Sequence, residues 1–319
     1  EAMAVKPYKR KKPHRPDLLF RTAMRVLSCP ALWKTHFKYQ KTDMEKAPKG
    51  PYLILMNHSS FIDLKIASAI FYPMPYCIVT TTDAFVGKEW LMRALGCIPT
   101  RKYVGDLSLI TDMEYALHKK KTSVLMYPEA GYSFDGCVSS MPKGLGLLVK
   151  KLGVPVLTVI TDGAFLHDPL YNYLQTRRVR VTAQLKCLFS AEETRELTSA
   201  ELEEGIKQAF AFDNFKNQYE SGTEGSEKFR ADGLHRILYR CPECETDFCM
   251  EGKGTTLKCK KCGKEYELDE YGAMRATSGE TEFDHIPDWF AWERECVKGE
   301  IERGEYGFEV PVRICMAND

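Results

Sequence analysis

From about residue 50 to residue 190, short apolar runs alternate with segments that have helical spacing. The runs have the length and β-branched content of strands, and the segments between them have the period of helices. Alternation of this kind predicts an α/β layer fold with a mixed central sheet. The predicted strands are 52–56, 77–81, 123–127, 155–160 and 179–189, and the predicted helices are 61–72, 87–95, 106–119, 142–152 and 199–219.

The chain has 319 residues, and shifts in composition divide it into five segments. A short α+β segment is predicted at the C-terminus, with a helix over 287–303 and an edge strand over 306–316. We expect that this strand joins a sheet already built or that the natural chain continues beyond Asp319. The segments are a basic arm with an amphipathic helix (1–49), a helix–sheet domain (50–219), a linker (220–233), a cysteine-bearing module (234–275) and an acidic helix and strand (276–319).

Charge is distributed unevenly along the chain. The net charge is only +1, but residues 1–50 carry 13 Lys and Arg against 4 Asp and Glu, whereas residues 263–319 carry 6 against 15. The basic end includes a predicted helix over 17–28, ended by Pro30, and it is a candidate for contact with an anionic membrane surface. A solvated arm and a helix packed on the domain fit this pattern equally well. No stretch has the ~18 consecutive apolar residues of a membrane-spanning helix, so we do not expect a spanning protein, and attachment to a membrane surface stays open.

The most specific chemical motif is Asn57-His58-Ser59-Ser60-Phe61-Ile62-Asp63, at the point where a predicted strand ends and a helix begins. Ligands bind α/β sheets at such strand ends. Asp63 can hold one nitrogen of the His58 imidazole while the other nitrogen accepts a proton from a substrate hydroxyl. An equally open alternative is a capping box, in which Asp63 only stabilises the start of the helix and His58 is incidental.

Three further segments follow in the same region: Gly96-Cys-Ile-Pro-Thr-Arg-Lys102, Tyr127-Pro-Glu-Ala-Gly-Tyr-Ser133 and Val154-Pro-Val-Leu-Thr-Val159. In this order, and together with the His58 motif, they resemble the four blocks of the glycerolipid acyltransferases, the family of lysophosphatidate acyltransferases. The resemblance covers roughly residues 20–215, about two thirds of the chain.

The resemblance implies an O-acyltransferase that acts on a lysophospholipid or related glycerolipid. His58 would be the general base, oriented by Asp63, and the deprotonated hydroxyl would attack the thioester of acyl-CoA or acyl-carrier protein directly. An enzyme of this kind is expected at the cytoplasmic side of a membrane, as a peripheral protein. The substrate-binding residues that the resemblance implies are Gly96, Arg101, Lys102, Glu129 and Gly131.

The third and fourth blocks depart from the family pattern. Tyr132 occupies the place of the customary Arg, which removes one expected phosphate contact, and Thr158 replaces a common Pro. Lys143 is a candidate for the missing charge, although an exposed lysine is by default solvated. These departures favour a non-catalytic lipid-binding scaffold with a degenerate acyltransferase fold that recruits a partner through the cysteine module, whereas the intact His58 and Asp63 oppose it. A third possibility is an N-acyltransferase that acts on a lipid amine.

Two CxxC pairs form the second strong signal. Cys241 and Cys244 precede Cys259 and Cys262 by fourteen intervening residues, the pattern of a zinc ribbon with four thiolates around a structural zinc ion. Iron fits the same four sulfurs. The module carries basic residues but lacks the interleaved aromatic residues of a single-strand binder, so we expect a structural clip and no nucleic-acid partner. We expect metal removal to unfold the module and leave acyl transfer largely intact.

Overall fold

A seven-stranded mixed sheet forms the centre of the molecule. The structure is a computed structural model that describes residues 11–101, 105–307, 309 and 311–313. The strands of this sheet are β1 (Lys38–Thr42), β2 (Leu53–Met56), β3 (Tyr76–Thr81), β4 (Cys97–Thr100), β5 (Ser123–Met126), β6 (Val156–Asp162) and β7 (Thr182–Phe189). Their order is β1-β7-β6-β2-β5-β3-β4, and β7 is antiparallel to β6 while the other neighbours are parallel. The predicted α/β fold class with a mixed central sheet is confirmed.

Helices cover both faces of this sheet. Side chains alternate along β2, so that Ile54 and Met56 face one apolar cluster and Leu53 and Leu55 face the other. All four side chains are buried, as expected for a central strand of a largely parallel sheet. The helices in chain order are α1 (Leu18–Lys34), α2 (Asp63–Phe71), α3 (Glu89–Ala94), α4 (Leu107–Glu114), α5 (Leu145–Leu152), α6 (Ala164–His167), α7 (Glu193–Glu196), α8 (Ser199–Ala209), α9 (Asn214–Ser221) and α10 (Ile286–Arg303).

A second, antiparallel sheet follows in the C-terminal third. Its strands are β8 (Met250–Lys253), β9 (Thr256–Cys259), β10 (Glu265–Leu268) and β11 (Met274–Ala276), in the order β11-β10-β9-β8. A third apolar cluster joins Tyr266 and Trp289 of this region to Phe165, Tyr171 and Phe215. The small sheet therefore packs against the segment that joins β6 to β7 and against α9. The division into five segments stays a prediction.

Several elements differ from the sequence prediction. Helix α1 continues through Pro30 to Lys34, because a proline inside a helix removes one backbone hydrogen bond without having to end the helix. The helix predicted over 199–219 is two helices, because helical structure is interrupted between Ala209 and Asn214. Asp213 caps the second helix by accepting a hydrogen bond from Lys216 N. Strands β1 and β4 and the short helices α6 and α7 were not predicted. The described residues of the strand predicted over 306–316 are exposed and in no strand; the others lie outside the described residues.

Candidate active site

The loop with the His58 motif leaves the carboxyl end of β2, between the ends of β5 and β6. Asn57 fixes the start of this loop: its Oδ1 accepts a hydrogen bond from Thr161 N at 2.8 Å, and its Nδ2 donates to Thr161 O at 3.3 Å. Asn57 is fully buried, so these bonds replace the water that its amide would otherwise bind. The loop is thus held to β6 immediately before His58.

The structure brings His58 and Asp63 together. The His58 Nδ1 to Asp63 Oδ2 distance is 3.0 Å, and the same Oδ2 accepts hydrogen bonds from Ser59 N at 2.8 Å and Ser60 N at 3.0 Å. The Ser60 hydroxyl accepts from Ile62 N rather than from Asp63 N, so the reciprocal bond of a capping box is missing. Asp63 therefore supports the turn and the imidazole at once, which leaves His58 Nε2 available for a substrate proton.

Two tyrosine rings enclose the His58 imidazole. The ring centroids of Tyr127 and Tyr132 lie 3.9 and 4.0 Å from that of His58, with interplanar angles of 19° and 32°. Phe61 packs on Tyr132 at 5.4 Å between centroids. The sequence analysis noted Tyr132 only as the loss of an Arg, and a stacked histidine was not predicted. Both tyrosines belong to the third block, which begins at the carboxyl end of β5.

Glu129 supports the backbone beside His58. Its Oε1 accepts a hydrogen bond from His58 N at 3.1 Å, and its Oε2 accepts from Ser139 N at 2.8 Å. Burial raises the pKa of Glu129, and the two backbone N–H groups oppose this shift. Because both oxygens have backbone partners, Glu129 is placed to fix the loops around the imidazole. Its predicted role in substrate binding stays a prediction.

A cavity of about 1130 Å³ opens at His58. Apolar side chains line much of it, including Phe20 and Met24 of α1 and Leu64 of α2. Polar groups gather near the imidazole, at the carboxyl ends of the strands. The predicted site residues that line the cavity are His58, Arg101, Glu129, Gly131 and Lys143.

Gly96 and Arg101, the described site residues of the second block, lie at opposite ends of β4. Arg101 follows β4 and lines the cavity, and its side chain is 62% exposed, with Nε 3.9 Å from Asp106 Oδ2. Gly96 precedes β4, at the opposite end of that strand, and has a φ of +81° beneath Pro16. An added Cβ at Gly96 would lie 2.9 Å from Pro16 Cδ, so this glycine is explained by the close approach of the arm. Lys102 lies outside the described residues.

The four predicted metal ligands converge. The Sγ atoms of Cys241, Cys244, Cys259 and Cys262 all lie within 4.8 Å of one another, and the pairs Cys241–Cys262 and Cys244–Cys259 are each 3.7 Å apart. Tetrahedral zinc with Zn–S bonds of about 2.3 Å places its sulfurs about 3.8 Å apart, so the cluster fits a closed zinc site. Burial acts to raise the pKa of the Cys259 thiol, but the backbone N–H groups of Cys262 and Lys261 help to lower it to about 6.

The basic residues of the module are largely paired. Lys260 Nζ lies 2.9 Å from Glu251 Oε1, Lys258 Nζ lies 3.4 Å from Glu265 Oε2, and Lys264 Nζ lies 3.1 Å from Glu282 Oε1. Neighbouring carboxylates thus reduce the positive potential that a phosphate backbone would need. The absence of a nucleic-acid partner stays a prediction.

Helix α1 presents apolar side chains to solvent. Leu19, Leu27 and Trp33 are 76%, 72% and 82% exposed, and at 100° per residue they share one side of the helix with Ala23, Val26 and Pro30. The described residues of the basic arm, 11–16, contact the domain: Lys11 Nζ lies 3.0 Å from Glu89 Oε1. Among the described residues, every helix falls short of the length and apolar content needed to cross a bilayer.

The sequence is similar to known acyltransferases. Residues 38–162 match the acyltransferase family model. A chloroplastic 1-acyl-sn-glycerol-3-phosphate acyltransferase of Brassica napus is 28% identical over 136 residues, which cover 40% of this chain and 39% of that protein. A second chloroplastic enzyme of this name, from Arabidopsis thaliana, is 26% identical over 153 residues, covering 46% and 42%. The chain thus spans about two fifths of the length of these relatives.

One solved structure is also similar. The 1-acyl-sn-glycerophosphate acyltransferase of Thermotoga maritima is 20% identical in sequence, and the alignment covers 60% of this chain and 78% of that one with a TM-score of 0.43.

Proposed function

We propose that the chain transfers a fatty acyl group from a thioester to the hydroxyl of a lysophosphatidate-like lipid. The match of residues 38–162 to the acyltransferase family model and the similarity to 1-acyl-sn-glycerol-3-phosphate acyltransferases support this proposal. The observation that carries this proposal is the His58–Asp63 pair at 3.0 Å, placed at the mouth of an apolar cavity. Acyl-CoA and acyl-carrier protein are the two donor classes that supply such a thioester.

In the proposed reaction, His58 Nε2 takes the proton of the acceptor hydroxyl while Asp63 holds Nδ1. The hydroxyl oxygen forms a bond to the thioester carbonyl carbon, and the tetrahedral intermediate then breaks its carbon–sulfur bond. The departing thiolate takes the proton back from His58, so the histidine ends in its starting state. The apolar side chains of α1 and α2 provide a surface for the acyl chain.

Arg101 and Lys143 are the candidates for binding an acceptor phosphate. Both line the cavity that contains His58. Neither is buried, so each would gain its full charge-assisted bond only when the acceptor excludes water from the site. The geometry of the His58 pair favours catalysis over a purely lipid-binding scaffold. Asp63 is hydrogen-bonded to His58 Nδ1, and this bond orients the imidazole as a general base requires.

We also propose peripheral attachment at the cytoplasmic face of a membrane. The exposed apolar side of α1 supports this placement, since the same helix lends Phe20 and Met24 to the cavity. A lipid acceptor could then reach His58 without leaving the bilayer surface. The four cysteines are proposed to hold a structural zinc ion with no open coordination position.

Acyl transfer to a lysophosphatidate, measured with acyl-CoA and with acyl-carrier protein as donors, tests the function. We expect turnover with one of these donors and a loss of about 10²–10⁴-fold in His58→Ala. The thermal midpoint of that variant should match the unmodified protein. Lipid binding without turnover under both donors would favour the scaffold alternative, and turnover only with an amine acceptor would favour N-acyl transfer.

A further inference from the structure

We propose that Tyr132 is a positioning residue for the transfer reaction, which holds the His58 ring against Tyr127 and stabilises the imidazolium that forms when His58 takes the hydroxyl proton. This inference rests on the proposed function. It concerns a position at which the chain departs from the third-block pattern, and at which a tyrosine replaces the customary cation.

The geometry leaves the imidazole one open edge. Asp63 fixes the rotation of the ring through Nδ1, and the faces of Tyr127 and Tyr132, at 3.9 and 4.0 Å between centroids, fix its tilt. An acceptor cannot approach over either face of His58, so it must come in the ring plane toward Nε2. That direction is the one in which the nitrogen lone pair points and in which a proton is transferred.

The stacked tyrosine rings also stabilise a positive charge on the His58 imidazole. A cation is attracted to the face of a tyrosine ring because the ring quadrupole is negative there. The imidazole becomes a cation only after it accepts the substrate proton, so the attraction is stronger at that stage than before it. An interaction of this kind contributes to rate rather than to uniform binding.

Tyr132 is held in place to perform this role. Its neighbour Ser133 donates its backbone N–H to His58 O at 2.9 Å, and the Phe61 ring packs on Tyr132 at 5.4 Å between centroids. Burial and the nearby Asp63 carboxylate raise the pKa of the Tyr132 hydroxyl to about 12. The phenol is therefore neutral near pH 7, and its ring rather than its charge acts on His58.

The test compares Tyr132→Leu, which removes the ring, with Tyr132→Phe, which keeps it, and with Tyr132→Trp, which enlarges it. The matched control is Tyr219→Leu, an exposed tyrosine on α9. We expect the acidic limb of the kcat/KM profile to move to lower pH by about 0.4 to 1.5 pH units in the Leu variant. It should stay in place in the Phe variant and in the control, and move to higher pH in the Trp variant.

A second measurement needs no turnover. The ring protons of His58 can be followed by NMR as pH is varied, with a His58→Gln sample for assignment, and the curve should show the same displacement. If the NMR titration curve of His58 is displaced but neither the wild type nor any variant transfers an acyl group, the proposed function is contradicted and the stacking role is supported. If the Tyr132→Leu variant transfers acyl groups with an unmoved kcat/KM profile, the inference is overturned. A Tyr132→Phe variant whose profile differs from that of the wild type would also overturn it.

Discussion

Asn214 binds the carbonyl oxygen of Gly136 twice, through its side-chain Nδ2 at 2.6 Å and its backbone N at 3.0 Å. Gly136 lies in the loop that carries Tyr132, three residues after the serine whose N–H bonds to His58 O. Phe215, the residue after Asn214, packs between Gly136 and Gly272, which lies in the turn between β10 and β11. The cysteine module and the loop beside His58 therefore share one apolar contact.

The first prediction follows from this contact and reverses the expectation drawn from the sequence. Removing zinc should lower acyl transfer by about tenfold to a hundredfold, because a loop shift of about 1 Å beside a reacting group costs that much. Metal content, hydrogen exchange in residues 234–275 and transfer rate should be followed during chelation and after zinc is added back. Full activity with an unfolded module would mean that the contact at Phe215 does not support catalysis.

The second prediction concerns His58 and Asp63. In the proposed reaction one proton transfer needs both residues, so the losses in His58→Ala and Asp63→Ala should be strongly non-additive. The double variant should be little worse than His58→Ala alone. Asp63→Ala should also lower the thermal midpoint, since Asp63 accepts two backbone N–H bonds as well. Losses that multiply independently would indicate that Asp63 supports only the turn.

The third prediction concerns the exposed side of α1. Leu27→Glu and Trp33→Glu should each weaken binding to lipid vesicles by tenfold or more, because burying a large apolar side chain contributes about 1.5–3 kcal/mol. The control is Ile301→Glu, an apolar position on α10 that is 58% exposed. Raising the salt concentration should weaken binding only in part. Unchanged binding in both α1 variants would rule out this helix as the contact.

The sequence predicts the central strands and the His58–Asp63 pair because both depend on local spacing. Strand β1, by contrast, reads Lys-Tyr-Gln-Lys-Thr, and its edge position lets it lie exposed without an apolar alternation. The predicted helix end at Pro30 is wrong because α1 packs against α2, and this packing outweighs the one backbone hydrogen bond that the proline removes. The Tyr132 stack depends on how two loops meet at neighbouring strand ends, and no spacing within either loop contains that information.

The fourth prediction concerns the pH dependence of stability at His285. Its Nε2 lies 3.0 Å from Asp213 Oδ2 and its Nδ1 lies 3.1 Å from Asp288 Oδ2. The contact with Asp213 raises the pKa of His285 despite partial burial. Burial acts to raise the pKa of Asp213, but its bonds to His285 and to Lys216 N lower it overall.

A histidine whose pKa is raised on folding stabilises the protein fully below its ordinary value of about 6.5, and this contribution is lost as pH rises through the folded value. The lowered pKa of Asp213 adds a contribution that is present above its ordinary value, 3.8, and is lost as pH falls through its lowered folded value. His285→Gln should therefore cost about 1 kcal/mol near pH 6 and less at pH 8.5. Thermal midpoints at both pH values measure this, with His14→Gln as an exposed control. An equal loss at both pH values would mean that His285 contributes by packing and not by its charge.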